Sequence, residues 1–192
     1  MNHKEEVYLY ILENYRKGKV TQQGIAEALD ISLSTVNNAL KPLRQMQAIE
    51  IKPRELLVKD SEKILAYWAT IRKLEKDTVY STHVRLSIKE IEGSLPANVV
   101  FTAFSGYKLR FNDVPADYSE IYTYADDKTL GEIKKRFPEK KGPKNLFVLQ
   151  SNRVVKKMSK IGIAPASLLF VDLWNVKGWY ARDFLNALRE KL

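Results

Sequence analysis

Up to Ala48 the apolar residues recur at spacings of three and four, and from Ile49 they alternate, so the first third of the chain predicts helices followed by a hairpin. Lys4 to Tyr15 predicts a first helix with Val7, Ile11 and Leu12 inward. The segment TQQGIAEALDISLSTVNNALKPL, Thr21 to Leu43, predicts two short helices that cross. The first runs from Thr21 to Ala28, with Thr21 as its N-cap, Ile25, Ala26 and Leu29 facing inward, and Ala26 small where the helices approach. Ile31 packs the turn and Ser32 caps the second helix, whose buried stripe is Val36, Ala39, Leu40 and Leu43. Pro42 removes an internal hydrogen bond, which predicts a kink or an end near Leu40. IEIKPRELLVKD, Ile49 to Asp60, predicts a hairpin with Ile49, Ile51, Leu56 and Val58 as strand residues and Lys52, Pro53 and Arg54 at its tip. Together these elements predict a winged helix-turn-helix over residues 1–60.

The text from Ser61 to Asp77 predicts one connecting helix, with Ile64, Leu65, Trp68, Ile71 and Leu74 on one side. Residues 78–192 then mix periods and predict a small α+β or α/β domain with at least three strands on a helical layer. Val99 to Phe111 predicts a strand and a polar turn at Ser105 and Gly106. Glu120 to Asp127 predicts a strand ending in acid, Leu130 to Pro138 a short helix, and Asn145 to Gln150 an apolar strand. Ile163 to Trp174 and Tyr180 to Leu192 predict two closing helices, with Pro165 near a start and Leu168, Leu169, Val171, Leu173 and Trp174 covered. The fold class is therefore mixed α and β in two domains.

A crossed helix pair with a wing is a frame for reading duplex DNA. The face of the second helix opposite its buried stripe carries Ser34, Thr35, Asn37, Asn38, Lys41 and Arg44. Asparagine matches the paired donor and acceptor of an adenine edge, and Ser or Thr can address bases or phosphates. Lys41 and Arg44 suit backbone contacts, as do Lys52 and Arg54 on the wing. Thr21 and Ser32 complete the candidate DNA-binding set. Polar residues on an exposed helix face also serve solubility, so the frame and the face have to be taken together.

Charge complicates this picture. The net charge of +9 is uneven: residues 1–60 hold nine cations and eight anions, and residues 61–192 hold twenty-three and fifteen. The excess thus lies outside the DNA-reading frame and suits an acidic partner, nucleic acid or a merely basic surface. Two groups make a candidate second basic surface: Lys134, Lys135, Arg136, Lys140, Lys141 and Lys144, then Arg153, Lys156, Lys157 and Lys160. Tyr107 is a candidate for base stacking.

The chain of 192 residues has no cysteine and only two histidines, His3 and His83, so disulfides, thiolate metal sites and histidine relays are not expected. No apolar run reaches membrane-spanning length and the start resembles no signal sequence, so a cytoplasmic location without membrane attachment is expected. Asp126 and Asp127, if on a strand, point to opposite faces; Asp127 is expected as a cap or turn residue and Asp172 as a buried partner. No catalytic residue, metal site or cofactor is therefore assigned.

The closing text IGIAPASLLFVDLWNVKGWYARDFLNALREKL resembles the antitoxin and transcriptional-regulator family of type IV abortive-infection systems. The resemblance lies in Ala164-Pro165, Leu169, Asp172-Leu173, the Gly178 turn and the helix Ala181 to Leu188; Trp179 and Tyr180 depart from it. It implies an autorepressor that binds operator DNA, with inverted repeats, and opposes a nucleotidyltransferase-like toxin through its second domain. It also implies structural roles for Asp172, Leu173 and Gly178. Two other readings stay open, a replication or mobile-element DNA-binding protein and a cryptic nucleotidyltransferase-like enzyme.

Overall fold

Asn2 and Glu5 open the first helix, α1 (His3–Asn14), by a capping box in which each side chain accepts the other's backbone N–H. Thr21 and Ser32 do the same work by single bonds for α2 (Gln22–Leu29) and α3 (Leu33–Gln45). Both α2 and α3 end on a left-handed residue that is not glycine, Asp30 and Gln47. The next N–H reaches back five residues in each case, Ile31 to Ala26 at 3.0 Å and Ala48 to Leu43 at 2.9 Å, which closes the turn. The hairpin β1 (Ile49–Lys52) and β2 (Glu55–Val58) pairs Ile49 with Val58 and Ile51 with Leu56, and Val20 adds a bridge to Leu56.

These elements and α4 (Ser61–Ile71) make one unit, Met1–Arg72; Lys73–Leu192 make a second, and the structure, a computed structural model, describes residues 1–192. The core of the first unit joins Val7, Ile11, Ile25, Val36, Leu40, Leu43 and Trp68. Leu12 is only partly covered, and Tyr8 and Leu9 take the inward places instead. Pro42 neither kinks nor ends α3, which continues to Gln45. The carbonyl that loses its donor belongs to Asn38 on the exposed face, open to solvent, while buried Leu40 and Leu43 hold the helix on either side.

The predicted helix over residues 61–77 is two helices, broken at Arg72 and Lys73. Its first part, α4, packs its apolar face on α1, with Tyr67 edge-on to Tyr8 at 6.0 Å. Arg72 is buried where α4 ends and donates to Glu5 at 3.4 Å, so an ion pair rather than an apolar contact fixes the exit of the chain.

The second unit begins with α5 (Leu74–Asp77) and β3 (Thr78–Thr82), followed by α6 (Ile88–Ser94), β4 (Val100–Thr102) and α7 (Ala103–Phe111). It continues through β5 (Ile121–Ala125), α8 (Asp127–Arg136), β6 (Leu146–Gln150), α9 (Arg153–Met158), α10 (Ala166–Asn175) and α11 (Ala181–Arg189). Four strands form one mixed sheet in the order β3-β6-β5-β4, with β5 and β6 parallel across the α8 crossover and the outer pairs antiparallel. Helices cover both faces. Ile91 of α6 and Ile133 of α8 pack on Ile121, Ala125, Leu146 and Val148. On the other face Phe104 of α7 meets Tyr122, Tyr180 and Phe184 at 4.9 to 6.2 Å.

Ser105 and Gly106 lie in α7, not in a turn. Gly106 allows the helix to approach, because a Cβ there would stand 2.5 Å from Leu169 Cδ2 and 2.8 Å from the Phe101 carbonyl oxygen. Asp172 of α10 is fully buried and accepts from Thr102 Oγ1 and Tyr124 Oη, each at 2.7 Å. A Cβ on Gly178 would meet the Tyr180 ring at 2.7 Å. Trp174 departs from the predicted covered set, with 42% exposure at the outer side of α10. No helix is long and apolar enough to cross a membrane.

Candidate nucleic-acid interface

The exposed face of α3 is built from the caps outward. Ser32 Oγ accepts the Thr35 N–H at 3.1 Å and pairs with Thr35 Oγ1 at 2.8 Å, so these two hydroxyls hold the start of α3. Thr21 likewise accepts from the Gly24 N–H at 2.9 Å, which makes its hydroxyl a helix cap of α2. Ser34, Asn37, Asn38, Lys41 and Arg44 are all exposed along α3 and share one face, because Val36, Ala39, Leu40 and Leu43 take the other. The α3 scaffold is fixed from below by Tyr8, whose buried hydroxyl donates to the Ala39 carbonyl at 2.8 Å. Burial raises the Tyr8 pKa well above the ordinary phenol range, so that donor persists at any working pH.

One residue of the face is missing from the sequence-derived set. Gln22, the first residue of α2, donates its Nε2 to Asn37 Oδ1. The bond orients the Asn37 amide, whose own NH₂ stays exposed. Only the crossing of the two helices brings Gln22 within reach, so no periodicity in the text marks it.

Lys52 and Arg54 are exposed at the tip of the wing. Behind them a cross-strand ion pair, Lys59 to Glu50 at 2.8 Å, braces the hairpin. Its hydrogen bond and charge hold the Glu50 carboxyl below the usual range.

The cations of the second unit fall in two groups. Lys156 pairs with Asp126 at the N-cap of α8, whereas Lys134, Lys135 and Arg136 occupy the last turn of the same helix. A helix of that length separates them by about 13 Å along its axis. Several are already engaged: Arg136 donates to the Ser94 carbonyl, Lys134 lies 5.4 Å from the Tyr80 ring, and Lys144 reaches Glu139 at 3.8 Å. Lys135, Lys140, Lys141, Arg153, Lys157 and Lys160 project as exposed side chains. Tyr107 is fully buried and donates to Asp113 at 2.8 Å, so it has no face for a base.

The carboxylates are dispersed. β5 ends at Ala125, so Asp126 rather than Asp127 is the cap, accepting from the Thr129 N–H at 2.8 Å. Asp127 accepts from Gln150 at 3.3 Å, Asp172 is enclosed by its two hydroxyl donors, and Asp183 is exposed on α11.

Residues 9–50 match the family of winged helix-turn-helix DNA-binding domains, from within α1 to the start of the wing. No curated protein and no solved structure matches the chain. The first unit thus contains a DNA-binding domain of that kind.

Proposed function

We propose, from the winged helix-turn-helix at residues 9–50, that the chain is a sequence-specific regulator of transcription that binds double-stranded DNA and carries no chemistry of its own. The observation that carries this reading is the exposed face of α3, where Asn37 is oriented in advance by Gln22 and flanked by Ser34, Asn38, Lys41 and Arg44. Under it, α3 enters a major groove with Ser34, Asn37 and Asn38 toward base edges. Lys41, Arg44, Lys52 and Arg54 hold phosphates and set the register. Binding of the full chain to its own upstream DNA, against a scrambled duplex and across a salt series, tests this. Discrimination that persists as salt rises is the expected result; equal, salt-labile binding to both duplexes would remove the sequence-reading role.

The resemblance of the closing segment extends the proposal to an autorepressor that is also the antitoxin of a nucleotidyltransferase-like toxin. The residues that carry the resemblance serve the fold: Asp172 anchors α10 to β4 and β5, and Gly178 gives way to the Tyr180 ring. Co-expression with a neighbouring nucleotidyltransferase gene should restore growth. Unrelieved toxicity would leave DNA regulation without the antitoxin role.

A further inference from the structure

Beyond α9 the chain makes a two-residue turn. Lys160 and Ile163 exchange backbone hydrogen bonds of 3.1 and 3.0 Å, and between them Ile161 (φ 52°) and Gly162 (φ 68°) are both left-handed. Such a turn ordinarily holds glycine or asparagine. A β-branched residue in it is a steric outlier, and the Ile161 side chain is 98% exposed, so no packing within the unit compensates the conformation. Even Trp179, the other large apolar residue that stands well out of the surface, is less exposed at 81%.

The surroundings of this apolar tip are basic. Arg153 and Lys157 on α9, and Lys160 at the foot of the turn, are exposed cations with no carboxylate partner. The fourth, Lys156, is held by Asp126. We propose that this tip is a second contact to duplex DNA, in which Arg153, Lys157 and Lys160 take backbone phosphates and Ile161 enters the groove as a wedge against a base step.

The proposal rests on duplex binding by the first unit, and two observations favour DNA as the occupant. The cations are unneutralised, as a polyanion requires. The second unit, residues 73–192, holds twenty-one basic and fourteen acidic residues, so the charge that a winged domain usually supplies is concentrated there. A lipid surface also suits an apolar tip among cations, and nothing else in the chain favours it.

The test uses the full chain, its upstream duplex carrying 2-aminopurine at successive positions, and vesicles of phosphatidylserine and phosphatidylcholine. Ile161→Asn keeps the left-handed turn, which asparagine tolerates, and removes the wedge. A second variant replaces Arg153, Lys157 and Lys160 together by glutamine. The triple variant should flatten the slope of log K against log salt by about 2.7, from about 0.9 per phosphate contact, and shorten the nuclease footprint. Ile161→Asn should leave that slope unchanged and abolish a 2-aminopurine fluorescence rise outside the site read by α3. Parental slopes and fluorescence in both variants, with discrimination between upstream and scrambled DNA intact, would overturn the proposal and leave the first unit's role standing. Loss of vesicle binding in the variants without any change on DNA would overturn it in favour of lipid. A parent chain that binds no duplex would instead overturn the reading of the first unit, and this inference with it.

Discussion

Replacing Gln22 by alanine should weaken recognition of the specific duplex without touching general affinity for DNA. Gln22 makes no base contact under the proposed geometry; its Nε2 holds Asn37 Oδ1 and so fixes the rotamer of a residue that faces the groove. Without that bond Asn37 must be ordered on binding, at about 0.5–1.5 kcal/mol for one side chain, or about two- to twelvefold in affinity. Removing Asn37 itself loses the paired contact, about 1–3 kcal/mol, or about five- to 150-fold. Gln22 acts only through Asn37, so the double variant should equal Asn37→Ala alone, with a coupling energy as large as the Gln22 effect. Competitive binding to upstream and scrambled duplexes measures all four corners of the cycle. Alanine is a good helix former, so the first turn of α2 should persist, and its circular dichroism checks that. Equal losses on both duplexes, or additive losses in the double variant, would refute the orienting role.

Gly106→Ala should destabilise the second unit by about 2 kcal/mol, the upper range for overpacking less the helix propensity gained, and lower its melting midpoint by about 8 °C. Gly131→Ala in α8, where a Cβ meets nothing within 4 Å, should stabilise by about 0.5–1 kcal/mol; calorimetry showing equal effects would contradict the packing argument. Lys52→Gln with Arg54→Gln should weaken both duplexes alike and flatten the salt slope by about 1.8, and a selective loss on the specific duplex would reassign the wing to base reading. For Asp126, the hydrogen bond to Lys156 and the Thr129 N–H hold the carboxyl below the usual range, so the folded state favours its charged form. That stability is present above about pH 4 and lost as pH falls through the depressed value. Asp126→Asn should therefore melt earlier than the parent at pH 7, with the gap closing on acidification; a gap independent of pH would remove the ion pair as its cause.

The first unit was legible because its signals are local. The Thr21 and Ser32 caps, the Val36 to Leu43 stripe and the alternation from Ile49 each act within a few residues, and the structure has the two caps, the stripe and the hairpin pairing where the text places them. What failed there was energetic competition: burial of Leu40 and Leu43 outweighs the bond lost at Pro42, and the buried Arg72 ends a helix that periodicity alone would continue. The second unit was harder because its decisive contacts are distant in sequence. Gly106 reads as a turn until Leu169 and Phe101 are seen against it, and β3 has no clean alternation of buried and exposed residues. Within the candidate interface, the exposed residues of α3 follow from the helix period, whereas Gln22 depends on a crossing angle. The cations and their two groups were countable in the text, but the ion pair of Lys156 with Asp126 at the start of α8 was not.

The central place of β6 in the sheet has a consequence for synthesis. β3 pairs only with β6, and more than sixty residues lie between Thr82 and Leu146. At about 5–20 residues per second, β3 waits roughly 3–13 s for its neighbour. During that interval β4 and β5 can pair with each other, but both they and β3 present open edges, while every element of the first unit has already been synthesised. A message cut before the codon for Leu146 thus yields a chain with a complete DNA-binding unit and an unfinished, adhesive sheet, whereas the full chain closes that sheet when its β6 strand arrives.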